Sequence, residues 1–326
     1  MTAEETTTAA PATEPAVSTT VDLSALAAEA GVEDALASLD RELVGLAPVK
    51  DRLREIAALL VVDRARERMG RARVAPSLHM CFTGNPGTGK TTVAMRLAGI
   101  LHRLGYVRRP NLVAVTREHL VGEWVGHTGP KTRKVLERAR GGVLFVDEAY
   151  TLYRPENERD YGQEAVEILL QAMEDAREEL VVVFAGYKAR MDTFFHCNPG
   201  LASRIAHHVD FPDYGADELL AIADLFLARL GYELGPGARD ALREYVVRRM
   251  AQPRFGNARS IRNALDRARL RHARRLVRGG GAVDGPALST LSAEDIRQSR
   301  VMADGKPEAE PFRSPLFGTR SLFIDR

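Results

Sequence analysis

LHMCFTGNPGTGKTT, Leu78 to Thr92, decides how the rest of the chain is read. LHMCFTG, Leu78 to Gly84, reads as a buried strand that ends in glycine, and Lys90 to Leu104 reads as a helix. Between them lies GNPGTGKTT, Gly84 to Thr92, which fits G-x-x-x-x-G-K-[ST]. Gly84, Gly87 and Gly89 allow backbone N–H groups to wrap a phosphate, and the helix start adds its own N–H groups and dipole. In such a loop Lys90 reaches the β- and γ-phosphates of a nucleotide and the Thr91 hydroxyl binds Mg2+, while Asn85, Pro86, Thr88 and Thr92 complete the cradle. A glycine-rich turn without function is the alternative. The strand before the motif and the helix after it weigh against that.

The pattern on either side is consistent with a nucleotide-binding domain. Upstream, helical patterns cover Leu23 to Ala30 and Val32 to Leu43, and a longer one carries Val49, Leu53, Ile56, Leu59 and Leu60, with Pro48 in its first turn. Downstream, Leu112 to Thr116, Gly142 to Ala149, Leu180 to Tyr187 and Ile205 to Phe211 read as strands, and helices are expected over Pro130 to Arg140 and Tyr161 to Asp175. Apolar strands alternating with helices imply an α/β fold whose parallel sheet is covered on both faces. After FPDYG, residues 211 to 215, only helices are expected: Ala216 to Leu230, Pro236 to Met250, Asn257 to Arg278 and Ser292 to Arg300. The domains expected are therefore a disordered tail over 1–22, a helical segment and adenine-side linker over 23–70, an α/β nucleotide-binding domain over 71–213, a small helical domain over 214–302 and a disordered tail over 303–326. Phe312, Leu316, Phe317, Leu322 and Phe323 in the last tail form either a short docking motif or scattered apolar residues.

LFVDEA sets Asp147 and Glu148 at the end of an apolar strand, about 55 residues beyond Thr92. In a parallel sheet that strand end borders the phosphate crevice. Asp147 is placed to hold Mg2+ and Glu148 to polarise the water that attacks the γ-phosphate of ATP. A solvated acidic strand end is the bland alternative.

Composition narrows the function. The net charge is +2 over 326 residues, so the whole chain is no polycation built for nucleic acid. Cys81 and Cys197, the two cysteines, make neither a disulfide framework nor a zinc site, which points to a reducing, cytoplasmic setting. No apolar run is long enough to span a bilayer, so no membrane partner is expected. From Arg239 to Arg278 thirteen arginines face three carboxylates. With no lysine and little aromatic interleaving, this stretch reads as an anion site or a salt-bridged helix face sooner than as a nucleic-acid groove.

Further residues gain meaning from a resemblance. With the phosphate loop and the Asp-Glu pair, NPGLASRIAHHVDFP and GNARSIRNALDRARLRHARR resemble AAA+ P-loop ATPases, in which an α/β domain is followed by a small helical domain. The resemblance implies that Arg204 acts as an arginine finger on the neighbouring subunit's γ-phosphate, and that Arg259 senses nucleotide in its own subunit. A surface salt bridge is the alternative for each. It further implies that Val44, Gly45 and Leu46 pack on adenine, with a simple helix-start turn as the alternative, and that the active chain is a homo-hexameric ring. GEWVGHTGPKT, residues 122 to 132, then lies where such rings place a loop in the central channel. Trp124, Val125 and Gly126 supply the aromatic, the aliphatic and the glycine, and an aromatic grips peptide by packing without reading sequence. The other reading makes Trp124, the sole tryptophan, an anchor in its own core. Thr151 to Glu164 is a second candidate channel loop.

VGEWVGHTGPKT, GGVLFVDEAYTLYRPENERDYGQEAVEILLQAMED, RIAHHVDFPDY and NARSIRNALDRARLRHARRL are similar to the CbbX family, the red-type Rubisco activases, over roughly Leu23 to Met302. The resemblance implies ATP-driven pulling on the C-terminal tail of the Rubisco large subunit, release of inhibitory sugar phosphates, and activation by ribulose-1,5-bisphosphate in a cytoplasmic, Rubisco-associated ring. Two features depart from the family: Trp124 stands where tyrosine is usual, and both tails are additional. A remodeller of another client, such as a sporulation or secretion complex, and a nucleic-acid-dependent ATPase are the competing readings.

Overall fold

The computed structural model describes residues 20–72, 76–154, 160–177 and 179–303. The tails expected over 1–22 and 303–326 lie outside them except for residues 20–22 and 303. Asp22 already belongs to the ordered chain, since its carboxylate caps the first helix by accepting from the amides of Ser24 (2.8 Å) and Ala25 (3.1 Å). Two compact units result. One holds the chain up to Phe226 together with Arg254–Arg262, and the other holds Leu227–Pro253 and the chain from Asn263 onward.

The first unit opens with α1 (Leu23–Glu29), α2 (Val32–Glu42) and α3 (Ala47–Arg68). There follow β1 (Met80–Gly84), α4 (Lys90–Arg103), β2 (Leu112–Val115), α5 (Arg117–Leu120), α6 (Thr128–Ala139) and β3 (Val143–Val146). A 3-10 turn (Ala149–Leu152) leads to α7 (Gly162–Asp175), β4 (Val181–Gly186), α8 (Lys188–Cys197), α9 (Pro199–Arg204) and β5 (His207–Phe211). All five strands are parallel, in the order β2-β3-β4-β1-β5. The expected fold class and strand order along the chain hold. Three short helices, α5, α8 and α9, add to the expected elements.

The sheet is buried on both faces, which is why its strands show no polar alternation. Cys81, Leu144, Val146, Val182 and Phe184 face a core shared with Val135, Leu169, Met173 and Phe194. Their alternates, including Met80, Phe82 and Phe145, point the other way, where α4 lies against β1 and β3. His79 is buried at the start of β1. Its Nδ1 accepts from the Val182 amide at 3.1 Å, so Nε2 carries the proton facing the Met173 carbonyl, also at 3.1 Å. Burial holds its pKa below the usual imidazole value, and the neutral ring ties β1 to β4 and α7.

The helices α10 (Ala216–Leu230) and α12 (Asn257–Gly279) each straddle the division between the units. The second unit adds β6 (Glu233–Leu234), α11 (Ala238–Met250), α13 (Gly285–Ser289), β7 (Thr290–Leu291) and α14 (Ala293–Arg297). The expectation that strands cease after residue 215 is corrected by the parallel pair β6–β7. Two residues per strand are too few to carry a period in sequence. Asp295, almost fully buried, closes a capping box on Ser292 and pairs with Arg275 at 2.9 Å. Arg269 lies over the Tyr232 ring at 5.2 Å, and Arg248 pairs with Glu244 at 2.8 Å. Much of the basic stretch is thus engaged within its own unit.

Candidate active site

β1 delivers the phosphate loop at the point in the sheet where chain order reverses, between β4 and β5. Gly87 and Gly89 have φ of 73° and 97°, a region that a side chain disfavours. Crowding matters as much at Gly87: a Cβ there would lie 2.3 Å from the Gly256 carbonyl oxygen and 2.9 Å from the Arg259 amide nitrogen. The loop is fixed from within. Lys90 Nζ donates to the carbonyls of Gly84 (2.8 Å) and Asn85 (2.9 Å), and the buried Thr88 hydroxyl donates to Asn85 O at 2.9 Å. Burial lowers the Lys90 pKa, opposed by the carboxylates of Asp147 and Glu148.

Distant segments brace the loop from outside. Tyr214 Oη donates to Thr88 O at 3.1 Å, and burial pushes this phenol up to about 12. Asn85 Nδ2 donates to the Asp213 carboxylate at 2.9 and 3.0 Å. Asn257, fully buried at φ 45°, donates to Asp213 (2.8 Å) and to Pro86 O (3.3 Å), and accepts from the Tyr214 amide (3.0 Å). The Ala258 amide donates to Gly87 O at 3.2 Å, which brings Arg259 against the loop. Leu46 is buried at φ 55°, with its Cδ1 3.6 Å from where a Gly89 Cβ would be. Leu46 therefore borders the loop at Gly89. Gly45 sits at φ 60°, a region that a side chain disfavours.

β3 lies two strands from β1, about 10 Å at the usual spacing, so Asp147 and Glu148 emerge beside the loop. The Asp147 amide donates to Val115 O at 2.8 Å, and its Oδ1 accepts from the Glu148 amide at 3.0 Å. Glu148 itself sits at φ 52°, a left-handed conformation that costs a non-glycine residue roughly 1–2 kcal/mol. Partial burial and the adjacent Asp147 raise its pKa above the usual carboxylate value, while Lys90, Arg190 and Arg259 oppose the rise. Arg190, which the sequence did not single out, lies over the rings of Tyr150 (5.0 Å) and Tyr187 (5.6 Å) and donates to Tyr150 Oη at 3.3 Å. Tyr187 follows β4, which separates β3 from β1, so the cluster stands beside both strand ends.

Arg204 is elsewhere. Its carbonyl accepts from Ser77 Oγ at 3.0 Å just before β1 and β5 begin, and its guanidinium pairs with Glu174 and donates to Gly200 O at 3.0 Å. The phosphate loop leaves the opposite end of β1, roughly 15 Å away along five residues of strand. Trp124 and Val125 are 69% and 78% exposed, so the reading of the tryptophan as a core anchor does not hold. The base of their segment is pinned instead: the Gly122 amide donates to Thr128 Oγ1 (3.0 Å), Thr132 Oγ1 to Leu120 O (2.9 Å) and Lys131 Nζ to Val121 O (3.0 Å).

This cradle of glycines, one lysine and a carboxylate pair fits a nucleoside triphosphate with its Mg2+. Residues 80–213 match the model of the AAA family, ATPases associated with various cellular activities, and residues 215–306 match the AAA lid domain. The chain is 60% identical to the chromosomal CbxX protein of Cupriavidus necator, over 95% of this chain and 98% of that one. The chain belongs to the CbbX/CfxQ family of AAA ATPases. It shares 61% identity with CbbX of Cereibacter sphaeroides, over 88% of this chain and 93% of that one. It shares 56% with the chloroplastic ribulose bisphosphate carboxylase/oxygenase activase of Cyanidioschyzon merolae, over 86% and 97%. The fold is shared more widely. The AAA domain of FIGL-1 bound to ADP superposes with a TM-score of 0.57 at 18% identity, covering 82% of this chain and 85% of that one. A RuvB mutant of Thermotoga maritima gives 0.52 at 19%, covering 80% and 73%. Membership in the CbbX/CfxQ family makes the chain an ATPase with ATP as its nucleotide. Among the described residues no helix is long and apolar enough to cross a membrane.

Proposed function

We propose that this protein is a red-type Rubisco activase: a cytoplasmic ATP-driven ring, homo-hexameric in its working form, that draws the C-terminal tail of the Rubisco large subunit into a central channel and so releases inhibitory sugar phosphates. The client follows from the activase named among the relatives and its near-complete overlap with this chain. The observation that carries the mode of action is the exposure of Trp124 and Val125 on a segment whose base is pinned. An aromatic and an aliphatic side chain held in water, next to glycine, offer a sequence-tolerant grip on an extended polypeptide.

In this reading Val44, Gly45 and Leu46 receive adenine, and Gly84 to Thr92 receive the phosphates. Lys90 neutralises the β- and γ-oxygens, and Thr91 and Asp147 would hold Mg2+, which would supply further positive charge beside the phosphates. Glu148 accepts the proton of the attacking water. Arg259, held against Gly87, acts in its own subunit. Arg204 sits too far along β1 to reach that cradle, which supports a role as a finger on the next subunit in a ring. Ribulose-1,5-bisphosphate is the proposed activator.

The test is the ATPase rate of the purified protein with and without ribulose-1,5-bisphosphate, alongside reactivation of inhibited red-type Rubisco by wild type and Trp124→Ala. A rate that responds to the bisphosphate, with reactivation lost in the variant, is expected. Healthy hydrolysis indifferent to the bisphosphate, and no reactivation by wild type, would move the protein to another client.

A further inference from the structure

Arg117 opens α5, the short helix that leads into Val121, Gly122 and Trp124. Its Nη1 donates to the Thr151 carbonyl at 2.8 Å and to Asp160 Oδ2 at 3.3 Å, and its Nη2 forms an ion pair with Asp160 Oδ1. Asp160 Oδ2 also accepts from the Gly162 amide at 3.3 Å, at the start of α7. Unlike the solvated pairs on the outer helices, this one is withdrawn from water: the side chains are 18% and 8% exposed. Two charges held this deep need each other, since removing either leaves the other unpaired. Gly162 makes room for the clasp. A Cβ there would lie 2.1 Å from Leu152 O and 2.6 Å from Arg117 Nη1.

The clasp joins three segments that the chain separates. Thr151 lies three residues past Glu148 and is fastened to it, since both its amide (2.8 Å) and its hydroxyl (2.7 Å) donate to the Glu148 carbonyl. A groove of about 540 Å3 beside the clasp is lined by Glu148, Thr151, Arg117, Val121 and Gly122 together. A displacement of the turn that carries Glu148 therefore reaches the Thr151 carbonyl, then the rigid guanidinium fork, then α5, and α5 is the root of the Trp124 segment. We infer that Arg117, with Asp160 as its counter-charge, is a positioning residue that couples the Glu148 turn to the Trp124 segment. The inference rests on the reading of Glu148 and Trp124 given above.

Trp124 is the only tryptophan in the full chain, so its emission reports on that segment alone. The experiment compares emission and acrylamide quenching with ADP, with ATP and with a non-hydrolysable ATP analogue, in wild type, Arg117→Gln, Asp160→Asn and Arg117→Lys. Hydrolysis and binding of a fluorescent ATP analogue are followed in parallel. Wild type is expected to distinguish ATP from ADP. In Arg117→Gln and Asp160→Asn that difference should shrink by about tenfold while nucleotide still binds and turns over. Arg117→Lys, which keeps the charge but loses the fork, should recover part of it. The double variant Arg117→Gln/Asp160→Asn leaves no unpaired charge and decides the matter where a single variant does not fold. A wild-type emission blind to nucleotide, or a full response in the folded variants, overturns the coupling. Failure of the Rubisco reading would show separately, as reactivation that survives Trp124→Ala, because the fluorescence experiment contains no Rubisco.

Discussion

At Gly87 in the phosphate loop a Cβ would lie 2.3 Å from a backbone carbonyl oxygen, whereas at Gly126, beside Trp124, it would meet nothing within 4 Å. The two residues have nearly the same φ, 73° and 79°, in very different surroundings. Around Gly87 the loop is closed by Lys90, Thr88, Tyr214 and Asn257, so its amides are fixed before any ligand arrives. Preorganised donors of this kind stabilise charge without having to move first. Around Gly126 the side-chain hydrogen bonds stop at the base, on Gly122 and Thr128, and the tip projects into water. A tryptophan can bury about 150–250 Å2 on contact, and Trp124 leaves most of its surface open. One loop is fixed by its own hydrogen bonds, as the proposed small charged ligand requires. The other is anchored at its root and open at its tip, as suits the proposed grip on a flexible chain.

The largest effect expected from this contrast is at Gly87. Gly87→Ala combines a disfavoured φ with a clash against Gly256 and Arg259, about 2–4 kcal/mol in all. Because the strain falls on the cradle, nucleotide affinity should drop by roughly two orders of magnitude, as measured by titration with a fluorescent ATP analogue. Near wild-type affinity would mean that the contact with Gly256 and Arg259 is not needed to shape the loop.

That cradle was only partly legible in the sequence. Lys90, Asp147 and Glu148 stand out because a strand, a loop and a helix in tandem form a local signal. Asp213, Tyr214 and Asn257 do not, for they meet the loop across more than a hundred residues of chain. Asn257 lies in the GNARS stretch, yet its burial and its bonds to Asp213 and Pro86 appear only in three dimensions. Arg117 and Asp160 lie 43 residues apart in the chain, and only the fold sets them together. The helix expected from Pro130 begins at Thr128, whose buried hydroxyl takes the Gly122 amide. Pro130 then sits in the first turn, where its missing N–H is harmless.

The next effect separates the two glycines of the Trp124 segment. A Cβ on Gly122 would lie 2.5 Å from His127 Cβ and 2.8 Å from the Thr128 amide nitrogen, so Gly122→Ala should destabilise by about 1–3 kcal/mol. Gly126→Ala faces only its backbone conformation, for about 1 kcal/mol. Urea unfolding of both variants checks the order. A costlier Gly126→Ala would contradict the open tip.

A smaller effect concerns Glu148. Its raised pKa means that the carboxyl keeps its proton to a higher pH than a free glutamate does. If Glu148 is the base, the ATPase rate falls as pH drops through that raised value, and the plateau lies on the alkaline side. Arg190→Gln removes one cation that opposes the rise, so the acid limb should move to higher pH with the plateau rate little changed. A pH-rate profile of both proteins measures this. A limb that moves to lower pH, or not at all, would separate Arg190 from Glu148.

The smallest expected effect is the most telling. Replacing a buried aromatic by alanine costs about 3–5 kcal/mol, as would be expected for Phe82 or Phe184 in the sheet. Trp124→Ala should instead change stability by less than about 0.5 kcal/mol, the range of exposed positions free of special contacts. Nucleotide binding should hold as well, because none of the bonds that shape the cradle passes through the indole. An unfolding midpoint that matches wild type, together with lost reactivation of Rubisco, would place the role of the tryptophan outside its own chain. A large drop in the midpoint would return Trp124 to the interior and remove the contrast between the two loops.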